Sequence, residues 1–295
     1  MKIVYFLVAK LFFSLGYFRG STRVQSMIFS SLPLATGFTK HPLGFSWNIS
    51  SRDSLNTYLS SCEAFTTRLV LSQANKLDTF ISLGANRGWY PLIAGVKSTE
   101  TQIIAFECNS IIFNELSQNI LMNNNQTELF SFAVGDAVKT ADLFKPKVSN
   151  EGMSTLFPVA TETRDATLIE RVNVTTLDVM LSDRFAKMGR TLILMDIEGS
   201  EMKALKGAKE FLKICSPELI LEINPEMLIS AGSSTTELLE YLNDFGYRAF
   251  WIDERGKLVQ VGSDLHLPHL SVLPPHTGAN YLFVKDDSNW QREFS

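Results

Sequence analysis

Short apolar runs alternate with amphipathic stretches along most of the chain. The runs are rich in Ile, Leu, Phe and Val and are too short to be helices, so they predict buried strands. Seven strands are expected, at residues 79–83, 103–106, 129–134, 191–195, 219–223, 247–252 and 281–284. Strands that alternate with helices are typical of a parallel α/β sheet with helices on both faces.

Two helix starts carry capping motifs, in which a serine is followed three residues later by a glutamate. They are Ser60 with Glu63 and Ser234 with Glu237. The segment 253–279, before the last strand, is too polar and too rich in proline to be a crossover helix. The final strand is therefore expected to run antiparallel to its neighbour.

The most informative segment runs from Asp78 to Tyr90 and reads as a strand, a glycine turn and the start of a helix. Gly84 and Gly88 allow a sharp turn and leave room for a ligand beside the backbone. Glu107 ends the next strand 19 residues after Gly88, near the offset of about 20 residues at which a carboxylate meets ribose hydroxyls. The middle glycine of the dinucleotide fingerprint is missing, which weakens the case for NAD.

Carboxylates also follow the most apolar strand of the chain, at Asp196 and Glu198. Open α/β sheets place their ligand crevice at this end of the strands, and alternate residues of an extended chain share a face. Both are therefore candidates for a general base, although Glu198 could instead cap the next helix together with Glu201. Glu222, on the following strand, faces either the same crevice or solvent. His276, in the segment before the last strand, is a further candidate base.

The composition is that of a globular protein, with 45% hydrophobic and 20% charged residues among 295. A net charge of −4 argues against a nucleic-acid binder, but the charge is unevenly distributed. Residues 1–52 hold six basic side chains and no acidic one, which leaves −10 for the remainder. Three cysteines and four histidines are too scattered for a disulfide framework or a metal motif, so no metal is expected. Unpaired cysteines favour a reducing compartment, the cytoplasm.

The N-terminal segment is both apolar and basic. Lys10 leaves an apolar run of only seven residues, 3–9, which is too short to span a bilayer. Residues 1–25 are expected either to form a helix packed on the domain or to contact an anionic membrane surface peripherally. A cleaved organelle transit peptide is a further alternative. A proline- and glycine-marked loop follows, so residues 1–45 are predicted as a helical extension of a domain at 46–295.

Several short segments, taken in order, resemble the FkbM family of S-adenosylmethionine-dependent methyltransferases over most of the chain, residues 46–285. The segments are 81–90, 105–107 with Asn109, 133–136, 176–178, 195–201 with 205–207, and 280–285. The resemblance implies a class I methyltransferase fold, a Rossmann-like three-layer sandwich with a mostly parallel seven-stranded sheet and an antiparallel last strand. It also implies methyl transfer from S-adenosyl-L-methionine to a hydroxyl oxygen, on a carbohydrate, a glycolipid or a secondary metabolite.

The resemblance supports eight residues as cofactor-binding, and the two carboxylates after the most apolar strand are the catalytic candidates. The glycine loop would lie beneath the methionine part of the cofactor, and Glu107 would accept both ribose hydroxyls. Asn109 and Asp136 would edge the adenine, although Asp136 could equally be a turn residue after Gly135. The catalytic residues are Asp196 and Glu198. The cofactor-binding residues are Ser82, Gly84, Ala85, Asn86, Gly88, Glu107, Asn109 and Asp136.

Two positions depart from the family pattern, which has an acid where this chain has Ser82 and usually a lysine where it has Met195. One alternative is therefore a cofactor-binding module with impaired catalysis, and another is an NAD-dependent oxidoreductase. The acceptor, a small molecule or a glycan, is expected to bind between the irregular segments 141–171 and 253–279. No nucleic-acid partner is expected.

Overall fold

The computed structural model describes residues 1–15, 27–28, 31–59, 63–146, 154–157, 166–253, 255–262, 267 and 278–285. Its α-helices are α1 (Lys2–Leu15), α2 (Arg52–Leu59), α3 (Ala64–Gln73), α4 (Trp89–Gly95), α5 (Ser110–Met122), α6 (Leu177–Leu181), α7 (Glu201–Lys206), α8 (Lys209–Ile214), α9 (Pro225–Ser230) and α10 (Thr235–Asp244). Its strands are β1 (Gly37–Lys40), β2 (Ser46–Ile49), β3 (Thr79–Leu83), β4 (Gln102–Phe106), β5 (Thr127–Phe130), β6 (Ala133–Val134), β7 (Lys139–Pro146), β8 (Ala166–Thr175), β9 (Thr191–Met195), β10 (Glu218–Ile223), β11 (Tyr247–Asp253), β12 (Lys257–Gln260) and β13 (Ala279–Lys285).

Eight strands form the main sheet, in the order β12-β11-β13-β10-β9-β3-β4-β5. The five strands from β10 to β5 are parallel, and β13 runs antiparallel to both β10 and β11. The predicted seven-stranded, mostly parallel sheet with an antiparallel last strand is thereby confirmed. The eighth strand, β12, pairs with β11 and comes from the segment that the sequence assigned to an insert.

A second sheet has three strands, in the order β6-β8-β7. It shows that the prediction of one strand at 129–134 is wrong. The first half of that run, β5, pairs with β4 in the main sheet, whereas the second half, β6, pairs with β8. Much of the irregular segment 141–171 belongs to the β7–β8 hairpin of this second sheet.

Side chains on the central strands alternate between two cores. Phe80 of β3 and Leu194 of β9 face the first core, which is covered by α1 to α5. Ile81 and Met195, on the same strands, face the second core, which is covered by α6 to α10. The main sheet is therefore the middle layer of a three-layer α/β sandwich.

The N-terminal helix α1 contributes to the first core. Tyr5, Ala9 and Phe12 are buried there. Strand β1 pairs with β2 across the predicted boundary between residues 45 and 46, and the division into 1–45 and 46–295 stays a prediction. Within the described residues, no helix is both long enough and apolar enough to cross a membrane.

Polar side chains cap several helices. The Ser234 hydroxyl accepts a hydrogen bond from the Glu237 N–H, which confirms the predicted start of α10. In the other predicted motif, Ser60 lies outside the described residues, and α3 begins after Glu63 with no side-chain cap. Asn224 caps α9, a helix that the sequence did not indicate.

Candidate functional site

The carboxyl ends of β3, β4, β9 and β10 surround a cavity of about 420 Å³. Open α/β sheets bind ligands at this edge, and the volume is in the range of small-molecule sites. Twenty described residues line the cavity; five of them are acidic, and none is Lys, Arg or His. The acidic residues are Asp53, Glu107, Asp196, Glu198 and Glu222.

The turn after β3 brings its backbone against the loop that follows β9. Gly84 has a φ of +74°, and a Cβ here would lie 1.9 Å from the Asp196 carbonyl oxygen. The N–H groups of Gly84 and Ala85 donate to the Phe106 carbonyl of β4 at 3.0 and 2.9 Å. Only glycine fits this close approach, and it joins the ends of three strands at the cavity wall.

Glu107 is a buried carboxylate at the end of β4, with 9% of its surface exposed. Its Oε2 accepts from the Asn86 N–H at 2.9 Å, and its Oε1 accepts from the Asn109 N–H at 2.8 Å. Burial raises the pKa of Glu107 to about 7, although these hydrogen bonds act in the opposite direction. Each oxygen has capacity for a further hydrogen bond, so the carboxylate fits the two adjacent hydroxyls of a ribose.

Asp196 and Glu198 both line the cavity, but a turn brings them there, so the prediction of an extended segment is wrong. Strand β9 ends at Met195, and the Asp196 N–H donates to the Leu83 carbonyl at 3.1 Å. Glu198 has a φ of +50°, and its carbonyl accepts from the Thr155 hydroxyl at 2.9 Å. The convergence of both carboxylates on one site, which the sequence predicted, is found.

Glu222, whose orientation the sequence left open, faces the same cavity. Asp196, Glu198 and Glu222 each place one carboxylate oxygen within 4.8 Å of the others. The charge of Asp196, followed by burial, raises the pKa of Glu222 well above its ordinary value. Burial also raises the pKa of Asp196, while a hydrogen bond from Glu222 lowers it. Two carboxyls this close do not both ionise readily, so they share a proton, and the hydrogen bond between them joins the protonated member to the ionised one.

Glu201, which the sequence grouped with Glu198 as a possible helix cap, has a structural role in the turn before α7. It is 2% exposed, and its Oε1 accepts from the N–H groups of Ile197 at 3.3 Å and Gly199 at 3.2 Å. Its Oε2 has no hydrogen-bond partner among the described residues. Burial raises the pKa of Glu201 to about 7. Glu201 thus holds the turn in place, and the Glu198 carboxylate lines the cavity.

The raised pKa of Glu201 predicts a pH-dependent stability. The folded carboxyl binds its proton more tightly than the unfolded one, whose pKa is 4.5, so the folded state loses stability as the pH rises through 7. Between pH 5.5 and 8, unfolding of the ligand-free protein should show a loss of about 2 kcal/mol from this group. Glu201→Gln removes the titration and should reduce the difference in unfolding free energy. An unchanged pH dependence in that variant would contradict the assignment.

Five of the predicted cofactor residues do not line the cavity. Ser82 is 1% exposed, and its hydroxyl has no hydrogen-bond partner among the described residues. Asn109 caps α5 through its side-chain oxygen. Asp136 is exposed in a 2.8 Å ion pair with Lys139, which lowers its pKa, and its predicted role at the adenine stays a prediction. The five residues are Ser82, Ala85, Gly88, Asn109 and Asp136.

Other cavity residues carried no functional signal in the sequence. Phe132 and Val134 give the wall apolar surface, but in the sequence they belong to an apolar run that reads as core. Cys108 also lines the wall, and burial raises the pKa of its thiol, so it serves as apolar surface. Only the fold shows that these residues line the cavity.

The segments expected to form the acceptor pocket do contribute to the cavity. The Ser154 hydroxyl is held by the Asn109 amide at 3.2 Å, and Thr155 bridges to Phe144 of β7. These contacts place residues 154–155 over the ends of β4 and β9. His276 lies outside the described residues. The lining residues from the two segments are Leu143, Ser154, Leu156 and Gly278.

Asp196, Glu198 and Glu222 also have the spacing to hold a cation. Carboxylate oxygens are the ligands that Mg²⁺ and Ca²⁺ prefer in proteins. Among the residues with defined positions, no other group of three or more acidic, histidine or cysteine side chains has this spacing. The expectation that the protein binds no metal stays a prediction.

The strand order, with one antiparallel strand inserted beside β10, and the acidic cavity at the carboxyl edge define a class I methyltransferase fold. The chain belongs to the FkbM methyltransferase family, because the model of the methyltransferase FkbM domain matches residues 82–249. The match confirms the predicted family, the methyltransferase class and its cofactor, S-adenosyl-L-methionine. The family match does not support the alternative of an NAD-dependent oxidoreductase.

Similar solved structures include a methyltransferase FkbM from Methylobacillus flagellatus KT, 16% identical with a TM-score of 0.44. That match covers 79% of this chain and 53% of the other, so the chain spans about half the length of that protein. A precorrin-6y C5,15-methyltransferase from Geobacter metallireducens GS-15 is 13% identical with a TM-score of 0.40, over 75% and 86% of the two chains. An O-methyltransferase from Bacillus cereus in complex with SAH is 12% identical with a TM-score of 0.37, over 74% and 77%. No curated protein matches the chain, and the family assignment rests on the domain match.

Proposed function

We propose that the protein transfers a methyl group from S-adenosyl-L-methionine to a hydroxyl oxygen of a carbohydrate-containing acceptor, such as a glycan, a glycolipid or a secondary metabolite. The observation that carries the proposal is the convergence of Glu107 with Asp196, Glu198 and Glu222 on one cavity. The Glu107 carboxylate suits the two hydroxyls of a ribose. The other three acids, here named the three-carboxylate cluster, suit removal of a proton. The two described cysteines are free, which supports a cytoplasmic location.

Glu107 and the turn at Gly84 are the proposed cofactor-holding elements. The ionised Glu107 accepts from both ribose hydroxyls, while Phe132 and Val134 offer apolar surface to the adenine. When bound, S-adenosylmethionine supplies a sulfonium methyl group that is already activated for in-line displacement. A cavity lined by acids and free of basic side chains in the described part of the chain favours this positive charge.

The protein's own task is to align the acceptor oxygen and remove its proton. Asp196 is proposed as the ionised member of the pair and as the base, because burial makes it more basic than an exposed aspartate. As the oxygen–methyl bond formed and the methyl–sulfur bond broke, Asp196 would take the hydroxyl proton. Glu222 keeps its own proton and orients Asp196 through the hydrogen bond between them.

The charge of the cavity favours an acceptor without anionic groups near the reacting hydroxyl. A phosphate, sulfate or carboxylate there would face five acids and no basic side chain among the described lining residues. The hydroxyls of a neutral sugar can instead donate hydrogen bonds to carboxylates such as Glu198. This supports a neutral polyhydroxyl acceptor.

A cofactor-binding module with impaired catalysis is the second candidate, because Ser82 and Met195 depart from the family pattern. Met195 is 1% exposed and packs in the second core, so its departure does not change the cavity lining. Ser82 brings no charge to the strand that leads into Gly84. The three-carboxylate cluster favours retained catalysis.

The test is a transfer assay with S-adenosylmethionine labelled with ¹³C in its methyl group. A panel of neutral sugars and glycolipid headgroup analogues serves as acceptors, and NMR identifies the atom that carries the label. Label on oxygen is expected, and phosphorylated versions of the same sugars, the matched controls, should react more slowly. Label on nitrogen or carbon would contradict the proposal. Cofactor binding without transfer to any acceptor would favour the impaired module.

A further inference from the structure

One face of helix α1 is fastened to the domain. Tyr5, Ala9 and Phe12 lie in the first core and are at most 2% exposed. The Tyr5 hydroxyl donates to the Pro33 carbonyl and accepts from the Ala35 N–H at 2.9 Å. The helix is therefore an ordered part of the surface, and binding a partner would not require it to fold first.

Other positions of α1 expose apolar side chains to solvent. Ile3, Leu7 and Leu11 are 76%, 58% and 54% exposed, and their spacing of four residues aligns them in one row. Met1 and Val4 extend this row into what is here named the α1 stripe. Sixteen large apolar side chains are exposed in the described residues, and these five fall within the first eleven positions. Concentration of this kind marks an interaction surface, whereas scattered exposed residues do not.

The segment that carries the α1 stripe is basic in sequence. Lys10 is exposed on the helix, and the first 52 residues contain no acid, whereas the rest of the chain carries −10. An anionic surface would attract this end of the protein and repel the remainder, which also sets its orientation. A second copy is a poorer partner, because a two-fold interface would place the same basic helix against itself.

The length of α1 decides how it can meet a membrane. Within the described part of the chain, its 14 residues extend about 21 Å, less than the bilayer hydrocarbon core of about 30 Å. We propose that the α1 stripe docks the protein on an anionic lipid bilayer, with the helix lying in the plane of the interface. The buried face stays in the domain core, and the stripe enters the boundary between headgroups and acyl chains.

Vesicle flotation of the full chain tests this docking surface. Wild-type protein should float with phosphatidylcholine vesicles that contain phosphatidylglycerol and should stay behind with phosphatidylcholine alone. Combined Ile3→Ser, Leu7→Ser and Leu11→Ser should lower binding at least about tenfold. Lys10→Glu should lower it about fivefold or more at low salt.

The matched control removes apolar surface elsewhere, on α5, where Ile111 and Leu121 are 65% and 78% exposed. Ile111→Ser with Leu121→Ser should float as the wild type does, and every variant should bind S-adenosylhomocysteine normally. Flotation of the triple serine variant at the wild-type level would overturn the proposal, and so would a wild type that never floats. Light scattering tests the alternative partner, a second copy of the chain. If the wild type forms a dimer that the triple serine variant abolishes, the α1 stripe serves self-association and the proposal is overturned.

Discussion

Asp196→Asn should lower the rate of methyl transfer by about 10²- to 10⁴-fold, the range typical for loss of a positioned general base. Asparagine keeps the size of the side chain and cannot take the acceptor proton. Affinity for S-adenosylhomocysteine should change far less, because Glu107 and the Gly84 turn, not Asp196, are proposed to hold the nucleoside. Single-turnover rates and calorimetry separate the two quantities.

Variants of Glu222 show whether the two acids act as a pair. Glu222→Gln keeps a hydrogen-bond donor for Asp196 and should leave the acid limb of the pH–rate profile near its original position. Glu222→Ala removes the donor that lowers the pKa of Asp196, so the acid limb should move to higher pH.

Two outcomes would show that Asp196 is not the general base. A wild-type rate in Asp196→Asn would leave Glu198 and His276, the other candidates from the sequence, to be tested next. Activity that disappears with a chelator and returns with Mg²⁺ would instead assign the three carboxylates to a cation that activates the hydroxyl.

Glu107→Ala should weaken binding of S-adenosylhomocysteine by about 10²-fold or more, because two charge-assisted hydrogen bonds to the ribose are lost. Glu210→Ala is the matched control, because this acid is exposed, is paired with Lys213 and is not among the residues that line the cavity. It should bind as the wild type does. Equal losses in both variants would contradict the placement of the nucleoside.

The pKa of Glu107 adds a pH dependence to the same measurement. Because burial raises this pKa to about 7, the carboxyl is increasingly protonated below that pH and loses its capacity to accept from both hydroxyls. Affinity should therefore fall as the pH decreases from 8 to 6. Glu107→Gln should bind more weakly and show a flatter profile, and a wild-type profile in this variant would exclude Glu107 as the titrating group.

Buried strands and the glycine turn were the features most accessible from sequence. The run 192–195 is apolar throughout because both of its faces are buried, and the strand lies in the centre of the sheet. Gly84 was informative because its backbone conformation and the approach of Asp196 exclude a side chain. Local physics sets both features, so a local pattern can reveal them.

The features that were missed depend on partners distant in the sequence. The run 129–134 divides between two sheets, and hydrophobicity alone does not indicate which strand each half will meet. The orientation of Glu222 was open because it depends on which neighbours surround β10. The same holds for the turn that carries Glu198, since its φ of +50° follows from the contacts around it.

The nucleoside cofactor is proposed to lie between the Gly84 turn and Glu107, with its reacting end toward Asp196 and Glu222. A crystal structure with S-adenosylhomocysteine tests it most directly. Both ribose hydroxyls are expected within about 3 Å of the Glu107 carboxylate oxygens, and the sulfur atom should face the three-carboxylate cluster. A nucleoside bound elsewhere, or a ribose held by another acid, would contradict it.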